Sequence, residues 1–173
     1  MNIYIASDHA GFELKSFLFE SLQEMGHTAV DCGAYIYNES DDYPVYISKA
    51  ARAVSEAEAL SVAEDVAGNV VVPHDTRAII IGGSGQGEAI TANKLPHVRA
   101  AVCYGGEQAE EIVRLSREHN NANGLSLGAR FLSEDQALEL VILWLNTPFS
   151  GDERHVRRLH EIDDMSYNPL YEI

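Results

Sequence analysis

The apolar positions of this chain follow two rhythms, short continuous runs and longer stretches that repeat every three or four residues. "NIYIA" (2–6) is of the first kind and predicts a buried strand. Over 11–25 the second rhythm takes over: Leu14, Phe17, Leu18, Leu22 and Met25 form one helical face, and Gly26 stands where a helix commonly stops. "TAVDCG" (28–33) predicts a second strand, followed by the polar loop "YNESDDYP" and a helix over about 44–54, with proline suited to its first turn. "RAIIIG" (77–82), "RAAVC" (99–103) and "GLSLGA" (124–129) read as three more strands. A helix over about 107–117 separates the last two. After 129, Ser133 caps another in which Ala137, Leu140, Val141, Trp144 and Leu145 recur at helical spacing.

Strands alternating with helices imply an α/β fold, a parallel sheet covered on both faces. Residues 55–76 fit the pattern less well: they read either as a helix extension with a surface loop or as an extra edge strand at "NVVV". In such sheets ligands sit at the carboxyl ends of the strands. The unusual residues gather there: "SDHAG" (7–11) after the first strand, "CGA" (32–34) after the second, "GGSGQGE" (82–88) after the third and "GAR" (128–130) after the fifth.

A chain of 173 residues suits one domain with a full core, with the stretch at 55–76 as an insertion into it. The net charge of -15 argues against nucleic acid or an anionic membrane as partner. Against that background the cluster "RHVRR" (154–158) is either an anion site or a solvated helix face. Cys32 and Cys103 lack metal-site spacing, no signal-peptide pattern opens the chain, and no apolar run reaches membrane-spanning length. The expectation is a soluble cytoplasmic protein with reduced thiols.

The glycine loop in "IIIGGSGQGEAITANK" (79–94) carries the chemistry. It is not a dinucleotide fingerprint, because the third glycine position falls on Glu88 or Ile90. Gly82 to Gly87 has the spacing of a phosphate-binding P-loop, but Glu88 and Ala89 stand where lysine and serine or threonine belong. What remains is a nest of backbone N–H groups over 83–87 with a carboxylate at its edge, suited to a developing oxyanion beside a base. That pairing fits proton abstraction next to a carbonyl. A tight turn whose glutamate only satisfies a helix N-terminus is the alternative.

Other polar clusters add candidates. Asp8 and His9 are adjacent after the first strand, and one of them could meet sugar hydroxyls while the other meets a phosphate. In "REHNNAN" His119 is a candidate acid/base, with Asn120 beside it. Arg154 and Arg158, one helical turn apart, can aim at one anion. No metal is expected, since no HxH or HExxH occurs and His155 and His160 do not share a helix face.

"SDHAG", "DCGA", "DDYP", "GGSGQGEAITANK", "REHNNAN", "GAR" and "ERHVRRL" occur in the order found in type B ribose-5-phosphate isomerases, a family with relatives acting on galactose, allose and tetrose phosphates. The resemblance covers about residues 2–160. It implies a three-layer α/β/α Rossmann-like sandwich with a five-stranded parallel sheet, in a homodimer, or a tetramer of such dimers, with sites at the subunit interface. It also implies no metal or organic cofactor. The implied reaction interconverts ribose 5-phosphate and ribulose 5-phosphate, a step of the pentose phosphate pathway, through a cis-enediolate.

Many members of that family carry a cysteine base at the end of the third strand, where this chain has Gly82; another branch has a glutamate after the loop, which matches Glu88. The resemblance therefore implies Glu88 as base and Gly83, Gly85 and Gly87 in the oxyanion hole. Ser84 would orient the carboxylate or bond the substrate. Asp8 would bind sugar hydroxyls or assist at the ring oxygen, and His119 would open the furanose. His9, Arg130, Arg154 and Arg158 would hold the phosphate, some across the interface, and Tyr43 would line the sugar pocket. An isomerase of another sugar phosphate, or a non-catalytic sugar-phosphate-binding protein, are the alternatives.

Overall fold

The computed structural model describes residues 1–66 and 75–167. Five strands, β1 (Asn2–Ser7), β2 (Thr28–Asp31), β3 (Thr76–Gly82), β4 (Ala100–Cys103) and β5 (Gly124–Gly128), form one all-parallel sheet in the order β2-β1-β3-β5-β4. Parallel strands need crossovers, and helices on both faces bury the central strands completely. Hence β3 needs no alternation: Ala78, Ile79, Ile80 and Ile81 are all fully buried.

One face of the sheet is covered by α1 (Phe12–Glu24), α4 (Ala109–Glu118) and α5 (Glu134–Asn146). Leu14, Leu18, Leu22, Val113, Val141 and Trp144 close there over Ile3, Ile5, Ile79 and Ile81. The other face is covered by α2 (Tyr43–Val66) and α3 (Gln86–Ala92), with Ile47, Ala50, Ala51, Val54 and Ala92 against Ala6, Ala78 and Ile80. This is a three-layer α/β/α Rossmann-like sandwich. A last helix, α6 (Glu153–Tyr167), follows α5.

Local signals set the ends of these elements. Gly26 takes φ +83° after α1, and the bonds Gly26 N–H to Gln23 O and His27 N–H to Leu22 O satisfy the last carbonyls. Ser133 and Gln136 form a reciprocal capping box at the start of α5.

The largest departure from the expected elements is α2, which runs through Val66 instead of stopping near 54. Its first half keeps the apolar spacing that packs on the sheet. The second half leaves the core, with Leu60 exposed and Glu58 bonded to Arg99 Nη2 at 3.3 Å. The helix-extension reading thus holds for 55–66, while "NVVV" lies outside the described residues. Among the described residues no helix is long and apolar enough to cross a membrane.

Strand order reverses between β1 and β3, whose chains cross over in opposite directions along the sheet. A crevice opens at the carboxyl ends of such a pair, which is where ligands of open α/β sheets bind. Ser7 and Gly82 end the two strands there.

Candidate active site

β1 delivers Asp8 and His9 to the crevice. Asp8 Oδ1 caps a 3-10 turn (His9–Gly11), accepting from Ala10 N–H at 2.9 Å and Gly11 N–H at 3.2 Å. β3 delivers the glycine loop, and Gly85, at φ +73°, makes the left-handed turn into α3 that a side chain would strain. Ser126 on the adjacent β5 pins this turn by donating to Gly85 O at 2.6 Å.

The loop glycines make room for other side chains. A β-carbon built on Gly82 would overlap the Glu88 carboxylate. On Gly83 it would stand 3.1 Å from the Arg130 guanidinium, and on Gly87 2.6 Å from the Tyr43 hydroxyl. Glu88, Arg130 and Tyr43 therefore converge on the loop from α3, from the 3-10 turn Ala129–Phe131 and from the start of α2.

Glu88 is 4% exposed, in the first turn of α3. Burial raises its pKa above the ordinary carboxylate value; a hydrogen bond from its own backbone N–H opposes this and the Asp8 charge adds to it. The helix N-terminus does not prevail over desolvation, so the carboxylate is a stronger base than one in water. Ser84 is exposed, and its hydroxyl accepts from Gln86 N–H at 3.3 Å. Gln86 in turn donates its side-chain amide to the Tyr104 hydroxyl.

His9 Nδ1 lies 2.7 Å from Asp41 Oδ1, which also accepts the His9 backbone N–H at 3.2 Å. Its pKa is raised, chiefly by that hydrogen bond, against the effects of burial and of Arg130. The opposing influence of Arg130 means that two cationic groups face the same end of the crevice. Asp8, His9 and Asp41 also bring ligand-type atoms within 4.8 Å of one another, and the short His9 Nδ1–Asp41 Oδ1 bond lies within this cluster.

The remaining candidates lie elsewhere in the chain. α4 starts beside the end of β4 and runs back against the strand direction, so His119 and Asn120 come to the opposite edge of the sheet, where β5 begins. α5 makes the same return, and α6 starts at that edge: Ser150 N–H bonds Glu118 O at 3.1 Å. The buried His155 ring stands 4.3 Å from His119, centroid to centroid, and its pKa is lowered by burial, His119 and Arg154. Arg154 and Arg158 are exposed on α6 close by. One chain thus brings together Asp8, His9, Tyr43, Gly83, Ser84, Gly85, Gly87, Glu88 and Arg130, and gathers His119, Asn120, Arg154 and Arg158 at its other end.

Asp41, which bonds the His9 ring, is a residue of the candidate site that sequence reasoning did not single out. "DDYP" marked the segment through Tyr43, yet nothing in it distinguishes Asp41, whose side chain is buried, from the exposed Asp42.

A family described as Ribose/Galactose Isomerase matches residues 3–62 and 58–162. Ribose-5-phosphate isomerase B of Mycolicibacterium paratuberculosis is 39% identical over 160 residues, covering 92% of this chain and 87% of that protein. Among solved structures, ribose-5-phosphate isomerase B of Clostridium thermocellum superposes with a TM-score of 0.80 at 38% identity, over 96% of this chain and 98% of the other. The Mycoplasma genitalium enzyme with bound ribulose 5-phosphate gives 0.82 at 31% identity, over 96% and 97%. The chain belongs to the Ribose/Galactose Isomerase family. It is accordingly an enzyme, an aldose–ketose isomerase.

Proposed function

We propose that this protein is a type B ribose-5-phosphate isomerase that interconverts ribose 5-phosphate and ribulose 5-phosphate, with Glu88 as the base. The observation that carries the assignment of the base is the buried Glu88 carboxylate standing in the space that a side chain at Gly82 would need, beside the N–H nest of the loop. The substrate class rests on the relatives, ribulose 5-phosphate being bound in one of them.

In the forward direction Glu88 takes the C2 proton of the open-chain aldose and returns it to C1, while the hydroxyl proton passes from O2 to O1. The charge that develops on the substrate oxygens is met by the N–H groups of 83–87, which are fixed in place before the reaction begins. A base whose pKa is raised by burial can hold the abstracted proton until it is returned, exchanging part of it with solvent. Asp8 would meet the sugar hydroxyls, and Tyr43, whose hydroxyl overlies Gly87, would wall the pocket. His9 and Arg130 would grip the phosphate, so that binding energy far from the reacting carbons aligns C1 and C2 with Glu88.

Opening the furanose needs an acid/base as well, and His119 is the candidate. Its position at the far edge of the sheet supports a homodimer in which each site joins the Glu88 end of one chain to the His119, Asn120, Arg154 and Arg158 end of its partner. The described part of the chain, built on one sheet, would then act as a single catalytic domain.

Proton NMR of ribose 5-phosphate with the protein in D2O tests the assignment. Ribulose 5-phosphate should appear with deuterium at C1, and recovered ribose 5-phosphate with deuterium at C2, and Glu88→Gln should abolish both. Conversion of a four- or six-carbon sugar phosphate instead would move the substrate and keep the chemistry. Tight binding without any turnover would leave only a sugar-phosphate-binding protein.

A further inference from the structure

Asp41 carries a buried charge that the reaction does not use. Its side chain is 2% exposed, and while Oδ1 takes both the backbone N–H and the ring Nδ1 of His9, Oδ2 has no hydrogen-bond partner among the described residues. A buried carboxylate with an unbonded oxygen is unfavourable unless a cation compensates it. The group in contact is His9, a cation when its ring is protonated, and its side chain is 28% exposed to the crevice. With Nδ1 turned to Asp41, ring geometry points Nε2 away from it, toward the open side. Tyr37 stands edge-on to the ring at 6.3 Å, centroid to centroid.

We propose that Asp41 is a positioning residue that locks His9 as an imidazolium with Nε2–H presented to the substrate phosphate. This rests on the sugar-phosphate assignment above. The neutral ring, held through Nδ1–H, would offer Nε2 as a lone pair and repel a phosphate oxygen; the cation offers a donor and a charge. The groups facing His9 act in both directions. Asp41, from the loop before α2, and Asp8, from its own loop, favour the cation, while Arg130 from the turn after β5 and partial burial oppose it. Without Asp41 the balance tips to the neutral ring, because Asp8 alone faces Arg130 and desolvation. The phosphate site then loses one of its cations as pH rises past the lowered His9 midpoint.

The test is Asp41→Asn, read in two ways. First, the His9 ring is titrated by NMR in the protein without substrate, and its midpoint should fall in the variant. Second, KM for ribose 5-phosphate is compared with that of the unaltered protein at each pH, so that titration of the substrate phosphate cancels. The ratio should rise from close to one in acid, where both rings are charged, to about tenfold between the two His9 midpoints, with kcat nearly unchanged, as expected for loss of one charge-assisted hydrogen bond. Asp41→Glu, which restores the carboxylate, should recover part of the difference.

An unmoved His9 midpoint, or a KM ratio independent of pH, would overturn the inference, and Asp41 would then merely brace the loop. If Asp41→Asn does not fold, the midpoint in the unaltered protein still decides, since a value at or below that of free histidine contradicts a locked imidazolium. A shifted midpoint in a protein that turns over no sugar phosphate would instead sink the substrate assignment.

Discussion

The Glu88 carboxylate occupies the volume that a side chain at Gly82 would fill, although the two residues lie on different elements, the end of β3 and the first turn of α3. The absence of a side chain at one position is therefore the condition for the carboxylate at the other. Substituting Gly82→Ala should push the carboxylate out and lower kcat toward the level of Glu88→Gln. Overpacking should also cost about 1–3 kcal/mol of stability. Denaturant melts of Gly82→Ala, Glu88→Ala and the pair would show coupling, the double variant losing clearly less than the sum. Additive losses would mean that the two positions do not share space.

Glu88→Gln should cut kcat by roughly 10²–10⁴-fold or more while substrate still binds, because the amide keeps the shape and cannot take a proton. In the unaltered enzyme kcat/KM should rise with pH as Glu88 ionises, with a midpoint above the ordinary carboxylate range, as burial dictates. A midpoint at or below that range would contradict the desolvated site.

The same burial affects stability with a definite sign. Below the unfolded-state pKa both states hold the proton and Glu88 is neutral in its effect. As pH rises past that value toward the higher folded pKa, the unfolded chain ionises first, and the folded state is disfavoured. Glu88→Gln should accordingly melt at a higher temperature than the unaltered protein near neutral pH, the gain vanishing in acid. A gain that persists in acid would point to packing as its source.

Mixing two inactive proteins tests the shared site. Unfolded and refolded together in equal amounts, Glu88→Gln and His119→Ala chains should form mixed dimers in which one site keeps both residues and the other has neither. Activity should return to about a quarter of the unaltered level if dimers form at random. No recovery would place His119 and Glu88 in the site of one and the same chain.

Thiol reagents should leave activity intact. Cys103 is buried with its pKa pushed up to about 11, and burial also raises that of Cys32, so neither supplies thiolate near neutral pH. Rapid, substrate-protected loss on treatment with iodoacetamide would contradict this.

Periodicity made most of the fold legible. Ile79 to Ile81, the Leu14–Leu22 face and the Ser133 cap each declare a strand, a helix or a boundary through local chemistry. It did not declare where α2 ends, because residues 55–61 are exposed or half-buried and an apolar stripe is no longer needed there. The site was legible in its parts. That Glu88 adjoins Gly82 could be expected from the motif, but the direction of its pKa required the burial, which depends on Tyr43, Asp8 and the whole crevice. That His119 and Glu88 lie at opposite edges follows from the return direction of α4, which residue types alone do not convey. Asp41 was hidden because a buried aspartate and its exposed neighbour have the same letter.

The placement of His119 with Arg154 and Arg158 at one end, and Glu88 with Arg130 at the other, has a consequence at the scale of the cell. In the proposed dimer a solitary chain would be half an enzyme facing two ways. At concentrations below its dimer dissociation constant, output would grow with the square of abundance, so halving expression would cost three-quarters of the flux and not half.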